Sequence, residues 1–301
     1  VARPLQDLSA AIDTGRLAEV AAAVHDGGEL SFTLISKEYI QTGLNWINAM
    51  QRLGRKNFLV IAGDQFAADT MDQRGIHSVR ANIDEDACDP SLVTHIGFSA
   101  KGLAMIALKF PVAKFLLQQG YSVVFSDADA VWLQDPMPYL READIAFQRV
   151  IYHPPSISSL WGFAVCTGFV SFRNGPKMIG FLDRCIEAHQ IFYCDQVSMN
   201  VALFDENPDW RCEQSPWTSP GVTIWDDEVR RRAIFTKFRQ FPINGDLPQS
   251  GLKVLALPND KFWRQKWVSG SFPDMVICHP NAPKDDLAKM TVFDAMGIRI
   301  S

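Results

Sequence analysis

A chain of 301 residues with 47% hydrophobic and 21% charged side chains is long enough for one large α/β domain, and its composition excludes extended disorder. Its formal charge of −5 argues against nucleic acid or an anionic membrane as the main partner, while allowing a local basic pocket. No run of about 18 apolar residues occurs, so no transmembrane helix is expected, and six scattered cysteines without short paired spacing argue against a zinc site.

Residues 5–24 read as an amphipathic helix with Leu8, Ile12, Leu17, Val20 and Val24 on its apolar face, ended by Gly27-Gly28. Residues 1–29 are therefore expected to be a helical extension to a domain covering residues 30–301. An alternation follows: strand 30–36, helix 39–53, strand 58–62, helix 66–73, strand 77–81 and a helical stretch 99–119 broken near Pro111. Then come a strand at 121–126, further strands at 145–149 and 169–172, and a helix at 176–189. This pattern predicts an α/β fold, a mainly parallel sheet with helices on both faces, whose ligand site lies at the carboxyl ends of the strands. From 205 to about 270 the chain turns rich in Pro and Trp, and an irregular, acceptor-shaping region is expected there.

The sharpest local feature is the run Phe125-Ser126-Asp127-Ala128-Asp129-Ala130-Val131-Trp132-Leu133, in which an apolar strand leads straight into two aspartates. Residues i and i+2 of an extended chain point the same way, so Asp127 and Asp129 present their carboxylates jointly. Hard cations such as Mn²⁺ or Mg²⁺ take such oxygens, and a cation there would stabilise the charge of a departing diphosphate. Asp84-Glu85-Asp86 repeats the spacing in a polar stretch with no preceding strand and reads as a solvated loop. His279 follows the apolar run Met275-Val276-Ile277-Cys278; a lone histidine at a strand end is more often a surface residue, but its imidazole suits a third ligand. Lys284, five residues on, is either a solvated loop lysine or a diphosphate partner, and Lys289 is the weaker candidate for that role. Asp195 stands at an expected helix start and Asp64 closes the second strand, so each has an alternative reading, as a helix cap and as a turn residue.

The run FSDADAVWLQDP closely resembles the D-V-D-V-V-W-L-x-D-P motif of the nucleotide-diphospho-sugar transferases of glycosyltransferase family 77, which includes plant, algal and protist xylosyl-, arabinosyl- and galactosyltransferases. Further elements follow in that family's order: Phe32 to Leu44, Phe58 to Asp64, Phe98 to Gly102 with Leu108-Lys109, Thr167-Gly168-Phe169, Asp195-Gln196 and His279-x-Asn281. Cys166 stands where the family often has Asn, and the stretch after His279 lacks the usual second Asn and Trp.

The resemblance implies a GT-A type, Rossmann-like fold and a metal held by Asp127, Asp129 and His279. It implies a donor site formed by Asp127, Ala128, Asp129, Lys109, Lys284, Thr167, Gly168 and Asp64, with Asp195 and Gln196 beside the reacting sugar carbon. The implied activity is a retaining, Mn²⁺- or Mg²⁺-dependent transfer from a nucleotide-sugar, UDP-sugar favoured, to a glycan or glycoprotein hydroxyl. Two other classes compete. A sugar-1-phosphate nucleotidyltransferase normally carries a Gly-rich basic loop after its first strand, where this chain reads Ser36-Lys37-Glu38-Tyr39; a sugar-binding domain that has lost catalysis would not need the Asp-x-Asp, His and Asp-Gln residues. Gly-x-Ser-x-Gly, Gly-x-Gly-x-x-Gly and Walker-type loops are absent. The compartment expected is the Golgi or another secretory lumen if an N-terminal anchor precedes Val1, with the cytoplasm as the alternative suggested by the lack of Asn-x-Ser/Thr sequons.

Overall fold

The structure is a computed structural model, and it describes residues 8–84, 99–211, 239–264 and 274–300. Six segments of three to nine residues form β1 (Leu30–Ile35), β2 (Phe58–Ala62), β3 (Ser78–Arg80), β4 (Val123–Ser126), β6 (Ile145–Val150) and β7 (Ala164–Phe172), with the short β5 (Val131–Trp132) between β4 and β6. With β8 (Asp209–Arg211), β9 (Ile243–Leu247) and β10 (Leu252–Ala256) they build one nine-stranded sheet in the order β3-β2-β1-β4-β7-β6-β10-β9-β8. The pairings make β7 and β9 run against the other seven strands, so the expected mainly parallel sheet is present, with an antiparallel strand at its centre. A second sheet of three strands joins β5 to β11 (Phe262–Trp263) and β12 (Ile277–Cys278).

Strand periodicity sorts the core into two layers. Leu59 and Ile61 of β2 and Val123 and Phe125 of β4 face one side, where they meet α2 (Thr14–Val24), α6 (Lys109–Gln118) and α8 (Pro176–Phe192) through Leu17, Val20, Phe110, Leu116 and Phe181. Phe58 and Val60 of β2 and Val124 of β4 face the other, against Trp46 and Met50 of α3 (Ile40–Arg52), Met71 of α4 (Gln65–Gln73) and Phe293 of α10 (Asp286–Met296). Helices thus cover both faces, as buried parallel strands require.

Besides β7, which begins five residues before the expected 169, and the unexpected α7 (Pro155–Trp161) ahead of it, the elements expected from the sequence differ in three places. The first helix is split into α1 (Leu8–Ala11) and α2, because Asp13 caps α2 by accepting from Arg16 N at 2.9 Å, and Ile12 bridges to Ala81 beside β3. The extension is thereby packed into the main core. The helical stretch 99–119 breaks at Leu108, giving α5 (Ala100–Ala107) and α6. Pro111 then lies in the first turn of α6, where its missing N–H has no intrahelical partner to lose. The stretch 205–270 carries β8 to β11 in its described parts, with Trp210 and Trp263 buried. Its alternation was hidden because an inward position of β9 is Gly245, where a Cβ would meet the Trp210 ring at 2.6 Å. Trp217, Trp225 and Trp267, together with Glu85, Asp86, Cys88, Phe98 and Cys212, lie outside the described residues. Among the described residues no helix is long and apolar enough to cross a membrane.

Candidate active site

The chain crosses from β1 through α3 and α4 to β3 on one side, then returns to place β4 on the other side of β1. The carboxyl ends of β1 and β4 therefore flank the point where strand order reverses, and open sheets bind ligands there. A cleft of about 430 Å³ occupies this position, within the range of roughly 300–1,000 Å³ usual for small-molecule sites. Leu34, Ser36 and Tyr39 line it from the β1 side, and Asp127, Ala128 and Asp129 from β4.

The Asp-x-Asp run is rigidly mounted. Ser126, the last residue of β4, accepts from the indole N–H groups of Trp46 and Trp132, each at 3.0 Å, tying the strand end to α3 and β5. Asp127 N–H donates to Gly168 O at 2.7 Å, and Ala130 N–H closes a turn on Asp127 O at 2.9 Å. The partner strand β7 is irregular at this level. Its register against β6 jumps from Phe147–Val170 to Gln148–Cys166, leaving residues 167–169 unpaired with β6. That bulge turns Thr167 and Gly168 toward the cleft.

Three ligand atoms of Asp127, Asp129 and His279 lie within 4.8 Å of one another. His279 Nε2 is 3.1 Å from Asp129 Oδ1 and 3.8 Å from Asp127 Oδ2. Ligand atoms about 2.1 Å from one octahedral cation stand about 3 Å apart, so the trio fits a hard divalent ion. The other ring nitrogen, Nδ1, is 3.1 Å from Gln148 Oε1, which fixes the ring and leaves Nε2 for the cluster. Gly168 leaves the room this needs: a Cβ there would stand 2.6 Å from Asp127 Oδ2 and 2.7 Å from His279 Nδ1.

Charge around the trio is dense. Lys109, buried at the start of α6, bonds to the Asp195 carboxylate, donates to Thr167 O at 3.1 Å, and stands 3.5 Å from Asp127 Oδ1. Thr167 Oγ1 donates to Asp195 Oδ2 at 2.6 Å. Burial works against ionising Asp195, but Lys109 and these hydrogen bonds outweigh it and hold the carboxyl down to about 2. Burial likewise works against ionising Asp129, but Lys289 and then His279 hold it well below the usual carboxylate range. Gln196, at the start of α9 (Asp195–Asp205), donates to His153 O at 2.5 Å.

The sequence-derived candidates fall into three groups. Asp127, Asp129, Ala128, Thr167, Gly168, Lys109, Asp195 and Gln196 line the one cleft, and His279 stands against its Asp-x-Asp floor. Lys284 sits on the rim, exposed, with its backbone carbonyl accepting from Tyr39 O–H at 2.9 Å. Asp64 stands apart: it caps α4 through Ala67 N–H at 2.8 Å and accepts from Lys37 N–H and Lys101 Nζ, each at 2.8 Å. It reaches the cleft only through Lys101.

Sequence reasoning passed over several groups in the site. Lys289, ranked below Lys284 as a charge partner, bonds directly to Asp129. Arg264, at the edge of the cleft, donates through Nε to Cys166 Sγ at 3.4 Å. Burial pushes the Cys166 thiol up, but Arg264 and His279 bring it down to about 7. Asp286 accepts from Gln41 and Thr42 N–H groups at 2.9 Å each, and from Thr42 Oγ1 at 2.5 Å, fastening α10 to the start of α3. The periodicity of α10 was the available signal: Lys289 precedes Met290 and Phe293 on its buried side, an unusual place for a lysine without a partner.

A model of the nucleotide-diphospho-sugar transferase family matches residues 53–293, and the chain belongs to that family, as its motifs implied. The arabinosyltransferase RRA2 of Arabidopsis thaliana is 32% identical over 100 residues, which are 33% of this chain and 22% of that protein's length. Among solved structures, the galactosyltransferase LgtC with donor and acceptor sugar analogs is 13% identical, with a TM-score of 0.41 over 58% of this chain and 70% of that one. Mouse xyloside xylosyltransferase 1 is 11% identical, with a TM-score of 0.37 over 58% of this chain and 81% of that one.

Proposed function

We propose that this chain is a metal-dependent glycosyltransferase that moves a sugar from a nucleotide-diphosphate donor, UDP-sugar favoured, to the hydroxyl of a glycan or glycoprotein, with retention at the sugar carbon. The observation that carries the reading is the convergence of Asp127, Asp129 and His279 in a cleft whose walls also hold Lys109, Lys284, Lys289 and Arg264.

Asp127, Asp129 and His279 would hold Mn²⁺ or Mg²⁺, which when bound supplies Lewis-acid stabilisation of the departing diphosphate. The chain's own groups do the rest. Lys284 on the rim neutralises phosphate oxygens, and Gly168 lets the donor lie close to the backbone. Lys109 holds Asp195 ionised and, with Thr167, fixes its orientation toward the donor sugar. A carboxylate tied down in this way is a weak nucleophile. That favours attack by the acceptor hydroxyl on the face the diphosphate leaves, with Gln196 beside the forming bond, over a covalent sugar–enzyme step. Retention rests on this argument and on the family resemblance.

The test is donor hydrolysis and transfer across a panel of UDP- and GDP-sugars, pentose donors included because of the arabinosyltransferase relative, with and without Mn²⁺. Mn²⁺-dependent release of UDP that disappears in Asp129→Ala supports the reading. Turnover unaffected by chelation, or pyrophosphate release from a nucleoside triphosphate, would overturn it.

A further inference from the structure

Positive charge outweighs negative in the cleft. Lys109, Lys284, Lys289 and Arg264 stand against Asp127, Asp129 and Asp195, while Lys101 and Glu38 pair with each other at 3.2 Å. Four cations less three carboxylates, with His279 counted neutral and Cys166 as a thiol, leave one unit of excess positive charge around the trio before any ligand arrives. Both oxygens of Asp129 are engaged: Oδ1 faces His279 Nε2 at 3.1 Å, and Oδ2 takes the ammonium of Lys289. Lys289 is almost fully buried, 3% exposed, with Nζ 5.7 Å from the centre of the Tyr39 ring. It has little freedom to withdraw, because Asp285 caps α10 through Ala288 N–H at 2.8 Å and Asp286 fastens the helix to α3.

We infer that Lys289 makes the site select a divalent cation and a diphosphate as a unit, and disfavours the cation alone. The inference rests on the metal-site reading above and says how that site is regulated. With no ligand bound, the ammonium does the neutralising that a metal would do on Asp129. A lone divalent ion raises the excess from one unit to three and meets the buried ammonium across a single carboxylate, where like charges are poorly screened. A nucleotide-sugar diphosphate carries two negative charges and returns the excess to one, giving Lys289 phosphate oxygens as a counter-charge. Lys109 is committed to Asp195, Arg264 donates to Cys166, and Lys284 is exposed, so Lys289, in direct contact with Asp129, is the cation whose removal changes the lone-ion state most. Coupling of this kind is reciprocal: the diphosphate gains as much from the cation as the cation gains from it.

The experiment titrates Mn²⁺ by electron paramagnetic resonance into the whole chain, alone and with saturating UDP, for wild type, Lys289→Met, Lys289→Gln and Lys289→Arg. Wild type and Lys289→Arg are expected to bind Mn²⁺ at least about tenfold more weakly alone than with UDP. Lys289→Met and Lys289→Gln are expected to tighten lone Mn²⁺ by about tenfold and to shrink the UDP coupling factor. Thermal unfolding checks that each variant is folded; if one of the neutral pair does not fold, the other, set against Lys289→Arg, decides. Unchanged or weaker lone-Mn²⁺ affinity in the folded neutral variants, with Mn²⁺ and UDP still binding together to wild type, overturns the inference and leaves the metal site standing. Failure of wild type to bind Mn²⁺ even with UDP overturns both.

Discussion

The ends of β2 and β4 look alike in sequence and behave differently. Each is an apolar parallel strand running into an aspartate, Asp64 in one case and Asp127 in the other. After Asp64 the chain enters α4 at once, and the carboxylate is consumed by Ala67 N–H, Lys37 N–H and Lys101. After Asp127 it makes a tight turn into β5, so no helix N-terminus claims the carboxylate and it faces the cleft. An aspartate at a strand end is thus free to serve a ligand only when the following residues do not need it as a cap.

Breaking the functional end should have the largest effect. Asp129→Ala is expected to lower Mn²⁺-dependent donor turnover by roughly a thousandfold, about 4 kcal/mol of transition-state stabilisation, measured as UDP release. Next is Asp195→Asn, which leaves Lys109 buried beside a neutral amide and is expected to destabilise the fold by about 3 kcal/mol, read from urea unfolding. The same variant tests the pH dependence. The folded Asp195 carboxyl lies at about 2, below its ordinary 3.8. Its ion pair therefore stabilises fully above the ordinary value and is lost as pH falls through about 2, and Asp195→Asn should remove that part of the acid-unfolding slope. Third is Gly168→Ala, whose Cβ would press on His279 and Asp127; a loss of about 1–3 kcal/mol is expected, with weakened Mn²⁺ binding in the presence of UDP. Smallest is Asp64→Ala, expected to cost about 1 kcal/mol of stability as a lost cap and to leave turnover within a few-fold of wild type. A hundredfold loss of turnover in a folded Asp64→Ala protein would erase the contrast between the two strand ends.

The legible part of the site was the part built from adjacent residues. Asp127 and Asp129 could be read because a strand of known period carries them, and His279 because it too follows an apolar run. Lys109 could be suspected from its helix, but nothing local says that its partner is Asp195, which the packing of α6 on α8 brings within reach. Lys289 was misjudged for the same reason: α10 reaches Asp129 only because Asp286 is bonded to α3, about 245 residues earlier in the chain. The bulge that opens β7 at Gly168 is hinted at by the Thr167-Gly168 break in its apolar residues, but its place is a matter of register against β6, which no local pattern gives.

Composition and periodicity alone determined an α/β chain with a mainly parallel sheet, helices on both faces and an acidic turn at one strand end, because hydrophobic burial selects helix or strand from neighbouring residues. Which charges would face one another was decided only by the tertiary structure. Coulomb interactions act through distance in space, and the segments carrying Asp127, Asp195, His279 and Lys289 become neighbours only once the sheet order and the placement of the last helix are set.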